Sequence, residues 1–214
     1  KYESVIFKGA DNKYYEKIGN RVACIEEEIP FQIPSSWEWV RLISICSYIQ
    51  RGKSPKYSDI KKYPVIAQKC NQWDCLSLEK ALFIEPESIL KYDSERFMQE
   101  NDILMNSTGT GTIGRTGYFT TSVKENYDCV VADSHITVIR CMKEIYAKYI
   151  YYYLCSPLVQ NTVEEKADGS TNQIELNTST VKSYLIPLPP FEEQKLIVSE
   201  IEPLLYKIKA NLLF

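Results

Sequence analysis

The residues best suited to chemistry lie in NDILMNSTGTGTIGRTG, residues 101–117. Gly109, Gly111, Gly114 and Gly117 crowd between an apolar run, Ile103 to Met105, and an aromatic, β-leaning stretch at Tyr118–Thr121. Glycine at this density serves tight turns or close backbone approach. Ser107, Thr108, Thr110, Thr112 and Arg115 stand between the glycines. The result is a donor-rich loop whose one charge suits a phosphate or a base edge. GTGTIG also carries the letters of a nucleotide-binding loop. A mononucleotide loop needs Lys followed by Ser or Thr after the last glycine, and a dinucleotide fingerprint needs a following helix; neither is present. A glycine-rich turn with no ligand is the plain alternative.

Other polar clusters share this chemistry. Gln68, Lys69, Asn71, Gln72 and Trp73 follow a strand-like run at Tyr63–Ala67. Asn and Gln can bond adenine with two hydrogen bonds, and Lys can bond guanine. Asn172 and Gln173 sit in a second polar loop, GSTNQ, from Gly169. His135 is the sole histidine and has no acidic or cysteine neighbour at metal spacing, which favours a structural or surface role. Asp74, Asp102 and Asp133 are isolated acids in sequence, although folding can gather such residues. The chain has no nucleophile elbow, no adenine-methylation tetrapeptide and no P-loop, and no cofactor is implied.

With 214 residues and a net charge of −3, the chain fits one large domain, or one domain with an appendage. The acidic total opposes nonspecific nucleic-acid binding by the whole surface. The charge is uneven, however. Arg51, Lys53, Lys56, Lys61, Lys62 and Lys69 face only Asp59 within residues 51–69, whereas residues 85–102 are acidic. This pattern fits oriented DNA docking or an ordinary solvated surface. The seven cysteines include no CxxC pair and read as reduced, buried thiols of a cytoplasmic protein. No apolar run is long enough for a membrane span, and no signal peptide opens the chain. Because it starts at Lys1, a fragment or a processed chain is expected.

The elements that must position these residues are mixed α and β. KYESVIF and KIGNRVACI suggest strands about a GADNK turn. Residues 1–29 form a lead-in that ends in the acids Glu26, Glu27 and Glu28 and is followed by Pro30 and Pro34. Strands are expected at Trp39–Arg41, Tyr63–Ala67, Ala81–Ile84 and Tyr184–Ile186. In the β run 127–141, Ile136, Val138 and Arg140 face opposite to Thr137 and Ile139. Ser44 is placed to cap a turn after the first of these strands. Residues 88–98 suit a short amphipathic helix, and Leu176–Val181 a turn. Residues 143–169 read as helical, with Tyr146, Tyr149, Ile150, Tyr153 and Leu154 on one stripe and Pro157 opening a second helix. A last helix starts near Pro190 with Glu192 and Glu193 at the positive end of its dipole. Its Ile197, Ile201, Leu204 and Ile208 form a coiled-coil-type seam widened by Leu205 and Leu212, and Pro203 is expected to kink the helix or cap it early.

Taken together, PSSWEWVRL, the glycine loop, GSTNQIELNTSTVKSYLIPLPPFEEQ and the helix after it resemble the DNA-specificity subunit of Type I restriction-modification enzymes. The resemblance covers about residues 30–214. It implies an α/β, mixed α+β target-recognition domain at 30–189 and part of a conserved spacer helix at 190–214. It also implies a non-catalytic protein reading one half of a bipartite double-stranded DNA target. Its partners would be methyltransferase and restriction subunits, with spacer helices packing as an antiparallel coiled coil. A second recognition domain, or a homodimer with symmetric half-sites, would complete it.

The resulting division of labour is an expectation. Arg51, Lys53, Lys56, Lys61 and Lys62 would hold phosphates. Lys69, Asn71, Gln72, Thr110, Thr112, Arg115, Asn172 and Gln173 would approach base edges. Ile197, Ile201, Leu204 and Ile208 would face a partner helix. Two other readings stand beside this one: a module docking a methyltransferase without reading DNA, and a nuclease or methyltransferase with a divergent site.

Overall fold

Short runs of alternating and β-branched residues dominate this chain, and they fold into several small sheets rather than one large one. A computed structural model describes residues 4–73, 75–168 and 174–212. Strands β1 (Ser4–Lys8), β2 (Tyr14–Ile18) and β3 (Arg21–Cys24) form an antiparallel meander. The chain continues through β4 (Glu38–Arg41), β5 (Cys46–Arg51), β6 (Tyr57–Ser58), β7 (Pro64–Ile66), β8 (Leu82–Ile84), β9 (Ile103–Asn106) and β10 (Thr116–Tyr118). Then come α1 (Thr121–Lys124), β11 (Val131–Ala132), β12 (Ile136–Cys141), α2 (Ala147–Leu154), α3 (Pro157–Gln160), α4 (Thr178–Ser183), β13 (Leu185–Leu188) and α5 (Phe191–Leu212).

The central sheet has the order β10-β9-β12-β5, all antiparallel. Both of its faces are covered. Ile49, Ile103, Met105 and Ile139 pack with Tyr149, Ile150 and Leu154 of α2 on one side. Tyr48, Leu104, Ile136 and Val138 pack with Ile66, Phe119 and Ala132 on the other. The period of two in β12 thus feeds two cores, as its alternation predicts. A second sheet, β11-β7-β8-β6, includes the parallel pair β11 and β7. Pro187 is tolerated in β13 because that strand has one partner, β4, and needs no donor on its outer edge.

The lead-in is folded onto the body. Tyr14 and Ile25 pack on Trp39, and the buried Arg41 bonds Glu16 (2.6 Å), Glu28 (2.8 Å) and the carbonyl of Ser183 (2.9 Å). Burial pushes the Glu16 carboxyl up, but hydrogen bonds from Arg41 and Ser4 outweigh it and hold the pKa below the ordinary value.

Several local expectations are corrected. Residues 86–91 and 94–96 form two separate 3-10 turns rather than one helix, because Tyr92 and Asp93 between them are extended. Ser44 lies inside a 3-10 turn, Leu42–Ile45, and does not cap it. The second helix opens at Pro157 after extended Ser156, as expected, but it ends at Gln160 rather than near Gly169. Residues 178–183 are helical rather than a turn. Helix α5 runs through Pro203 instead of ending there. Proline removes only one helical hydrogen bond, and the Ser199 carbonyl it frees lies on an exposed turn. Cys46 and Cys70 are buried as expected, but Cys24 and Cys75 are exposed.

Gln194 fixes the start of α5. Its Nε2 donates to the Pro189 carbonyl (2.9 Å), and its Oε1 accepts from the Tyr146 backbone at the head of α2 (2.9 Å). Tyr149 Oη donates to the Pro187 carbonyl nearby (2.6 Å). IPLPPFEEQ therefore fixes the helix to the body at two points.

Candidate nucleic-acid interface

The glycine loop joins β9 to β10, and its floor is a buried polar seam. Asn71, Asn106, Ser107, Thr116 and Thr137 are all buried there. Asn71 Nδ2 donates to Asn106 Oδ1 (2.9 Å), to the Arg115 carbonyl (3.0 Å) and to the Leu104 carbonyl (3.4 Å). Ser107 and Thr137 share a hydroxyl hydrogen bond (2.5 Å). These hydrogen bonds fix the loop to the sheet, although Asn71 Oδ1 and Asn106 Nδ2 are buried without a hydrogen-bond partner.

Two glycines are required by these contacts. A Cβ on Gly117 would lie 2.2 Å from Asn71 Oδ1, so the close approach admits no side chain. Gly114 has a φ of +81°, and its Cβ would press on Val163 at 2.9 Å.

Much of the loop's donor wealth is spent internally. Thr112 Oγ1 donates to the Thr108 and Gly109 carbonyls (3.0 and 3.1 Å), and Thr116 Oγ1 to the Gly114 carbonyl (2.8 Å). Thr110 and Gly111 are exposed at the tip. Arg115 is half-buried; its Nη1 donates to Gln72 Oε1 (2.6 Å) and its Nη2 to the Gly111 carbonyl (3.2 Å). The 68–73 loop meets the glycine loop a second time through Gln68, whose Nε2 donates to Thr108 Oγ1 (2.9 Å).

A third segment joins them. Glu175 forms β-bridges with Thr108 and with Asp168, and it also pairs with Arg51. Asp168 and Glu175 are thereby paired with each other, and Glu175 lies beside Thr108. Asn172 and Gln173 themselves lie outside the described residues.

The structure therefore brings Lys69, Gln72, Thr110, Thr112 and Arg115 to one face and corrects other expectations. Asn71 is fully buried and its amide serves the fold, so it does not present a base-reading edge. Arg51 is committed to Glu175. The basic run is not one phosphate-binding face, because it folds against the acidic stretch. Lys56 pairs with Glu85 (2.7 Å), and Lys53 donates to the Lys91 carbonyl (3.3 Å) beside Tyr92. Lys62 lies over Tyr63 at 5.0 Å. Lys61 lines a shallow depression of about 240 Å³ with Glu79 and Glu125. Lys69 remains exposed at the loop edge.

The isolated acids have structural partners. Arg140 grips Asp102 with two 2.7 Å bonds, and burial still pushes the Asp102 pKa above the ordinary value. Asp133 accepts from the His135 backbone (2.8 Å) and lies 3.4 Å from its ring, with the ring half-exposed. Asp74 lies outside the described residues.

Sequence reading missed three contributors: Gln68 as a bridge, Glu175 as the shared partner of two loops, and the stacking of Trp73 on Arg115, whose Cζ lies 5.8 Å from the ring centroid. The adjacency of Gln68 to Lys69 offered a hint for the first. The other two depend on contacts between segments far apart in sequence.

On the expected partner helix, Ile197 is packed against the body's own core and Ile201 is half-buried. Leu204 and Ile208 are exposed, at 58% and 56%. The seam thus divides: its first half lies on the domain, and its second half stands clear of it. Among the described residues no helix is long and apolar enough to cross a membrane.

The family described as the Type I restriction modification DNA specificity domain matches residues 34–213. The chain is 26% identical over 187 residues to the specificity subunit of the Type I restriction enzyme EcoEI from Escherichia coli, covering 83% of this chain and 30% of that protein. It is 30% identical over 121 residues to the EcoBI specificity subunit of Escherichia coli, covering 56% of this chain and 24% of that protein. It therefore spans less than a third of either relative. Among solved structures, the HsdS subunit from Thermoanaerobacter tengcongensis aligns with a TM-score of 0.62 at 19% identity, over 85% of this chain and 40% of that one. A chain from a study of type I R-M complex assembly aligns with a TM-score of 0.63, also at 19% identity, over 85% and 41%. Those two likenesses concern the fold, whereas the family match spans the glycine loop, the Glu175 bridge and the proline-led helix. The chain belongs to the Type I restriction modification DNA specificity domain family.

Proposed function

We propose that this chain reads one half of a bipartite double-stranded DNA target through the face where the 68–73 loop and the glycine loop converge beside Glu175. The observation that carries this reading is the convergence itself. Gln72 and the glycine loop hold the Arg115 guanidinium between them, with Lys69 and Thr110 alongside. An oriented guanidinium fork suits the acceptor pair of guanine in the major groove, and such a contact discriminates by about 1–3 kcal/mol. Lys69 supplies a phosphate contact, whose loss weakens all sequences alike and lowers the salt slope by about one.

In this reading the chain performs no chemistry. It directs methyltransferase and restriction subunits to the site, and the exposed half of α5 packs against a helix of a second recognition domain or a second copy. The specificity-subunit relatives and the exposed Leu204 and Ile208 support that role.

The test is a domain graft. The whole chain replaces one recognition domain of a complete specificity subunit, because Glu16 of the lead-in holds Arg41 of the body. The subunit is expressed with its methyltransferase, and modified bases are mapped genome-wide. A new motif with one half changed is expected. An active complex that keeps its old motif, or modifies without sequence preference, overturns the proposal and leaves a docking module that does not read DNA.

A further inference from the structure

We infer that Trp73 is a specificity-determining residue of this surface, stacking its free indole face on the target duplex next to the base pair that Arg115 reads. The inference rests on the DNA-reading function proposed above and names a contact that function does not require.

Trp73 is 55% exposed, whereas Trp39 is buried and Trp37 half-buried. A large aromatic ring left in water at a loop tip calls for an explanation, and the fold does not supply one. The ring belongs to none of the buried clusters. Its recorded neighbour is the Arg115 guanidinium, 5.8 Å from the ring centroid. Arg115 is itself held at three points. Gln72 Oε1 accepts from Nη1 (2.6 Å), the Gly111 carbonyl accepts from Nη2 (3.2 Å), and the Arg115 carbonyl accepts from the buried Asn71 amide (3.0 Å). Trp73 therefore leans on a fixed cation that is one contact from the base edge.

The chemistry around the ring decides what it meets. A protein-docking hot spot is a Trp, Tyr or Arg in a well-packed, desolvated pocket, and the half-exposed ring of Trp73 lines no such pocket among the described residues. Here Arg115 lies beside the ring, Gln72 and the Gly111 carbonyl hold its guanidinium, and Lys69 is exposed four residues before, a polar and cationic setting suited to a phosphodiester backbone. An indole among such groups matches the π-face of a nucleobase. A base offers that face only where its step is unstacked, and the cost depends on the step, least for pyrimidine–purine steps. Trp73 would thus add preference for a deformable step beside the guanine that Arg115 contacts.

The test uses the grafted subunit assembled with its methyltransferase, in wild-type, Trp73→Ala and Trp73→Phe forms. In the expected result, Trp73→Ala loses at least one specified position of the new half-site, or its modified fraction falls about 10-fold, within the roughly 5- to 150-fold that one stacked base is worth. The other half of the motif is unchanged, and Trp73→Phe retains most of the wild-type pattern. Trp73→Ala writing the wild-type motif at wild-type occupancy overturns the inference and leaves DNA reading intact. Loss of complex assembly by Trp73→Ala, with its melting temperature unchanged, also overturns it and assigns the ring to a protein partner. If the wild-type graft itself changes no motif, the DNA-reading proposal fails first. A second measurement does not depend on how the alanine variant folds. A duplex bearing the mapped motif should quench tryptophan emission more than a scrambled duplex does, and Trp73→Phe should abolish the difference. Equal quenching by both duplexes overturns the inference.

Discussion

Asn71 and Gly117 approach each other beneath the glycine loop with no room for a side chain between them. Asn71 donates to two carbonyls and to Asn106, and its Oδ1 fills the space a Gly117 Cβ would need. Asn71→Ala should therefore cost about 1–3 kcal/mol by leaving the buried Asn106 Oδ1 unpaired. Gly117→Ala should destabilise through the 2.2 Å clash. In the double variant the clash partner is gone, so the combined cost should fall short of the sum by roughly 0.5–3 kcal/mol. Urea unfolding of the four proteins measures this, and strictly additive costs would show that the two residues do not act on each other. The residue types in this region are legible in the sequence, but their duties are not. Asn71 and Gln72 are adjacent amides, yet one is buried under the loop and the other reaches out to Arg115. Which way each faces is set by strand β9, some thirty residues downstream.

Helix α5 changes character along its length. Gln194 and Val198 are buried and Ile197 rests on the core, whereas Leu204, Leu205 and Ile208 are exposed. Lys148 and Tyr152 of α2 reach Glu202 (2.5 and 3.1 Å), the last contact recorded between α5 and α2. Leu204→Asp and Ile208→Asp should then leave the stability of the chain within about 0.5 kcal/mol, as for surface positions generally. The same changes should abolish assembly with a partner specificity domain, read by light scattering of the mixed subunits. Unchanged assembly, or an equal loss of stability, would remove the exposed half of α5 from the proposed interface. Ile201→Asp is a less discriminating probe because that residue is half-buried on the domain. The element types here follow from local signals: the 3.6-residue period, the preceding prolines and the two early glutamates. The failures elsewhere are also local in origin. The 88–98 stretch has a helical pattern interrupted by extended Tyr92 and Asp93, and the helix that Pro157 opens stops at Gln160, short of the expected end near Gly169.

Across the whole molecule, one buried charge ties the lead-in to the body. Arg41 gathers Glu16, Glu28 and the Ser183 carbonyl, joining β2, β4 and the end of α4. The folded Glu16 pKa lies below its ordinary 4.5. The unfolded state then takes up the proton first, so the stabilisation is fully present above about pH 4.5 and is lost as pH falls through the lower folded value. Thermal melts of wild type and Glu16→Gln should therefore show a shallower acid-side decline in the variant, whose position 16 does not titrate. Parallel declines would mean that Glu16 contributes no such linkage.

The sequence by itself determined the mixed α and β content, the donor-rich glycine loop and the proline-led helix, because those signals lie within a few residues of one another. It also carried the family resemblance, since PSSWEWVRL, the loop and IPLPPFEEQ are local motifs. The tertiary structure alone decided which polar groups remain available. Lys56 meets Glu85, Arg51 meets Glu175 and Asn71 sinks beneath Gly117, each across a long stretch of chain. A charge count cannot anticipate such pairings, because an ion pair or a buried amide depends on distance in space. The same long-range packing left Trp73 standing beside Arg115, which composition reports only as one tryptophan among three.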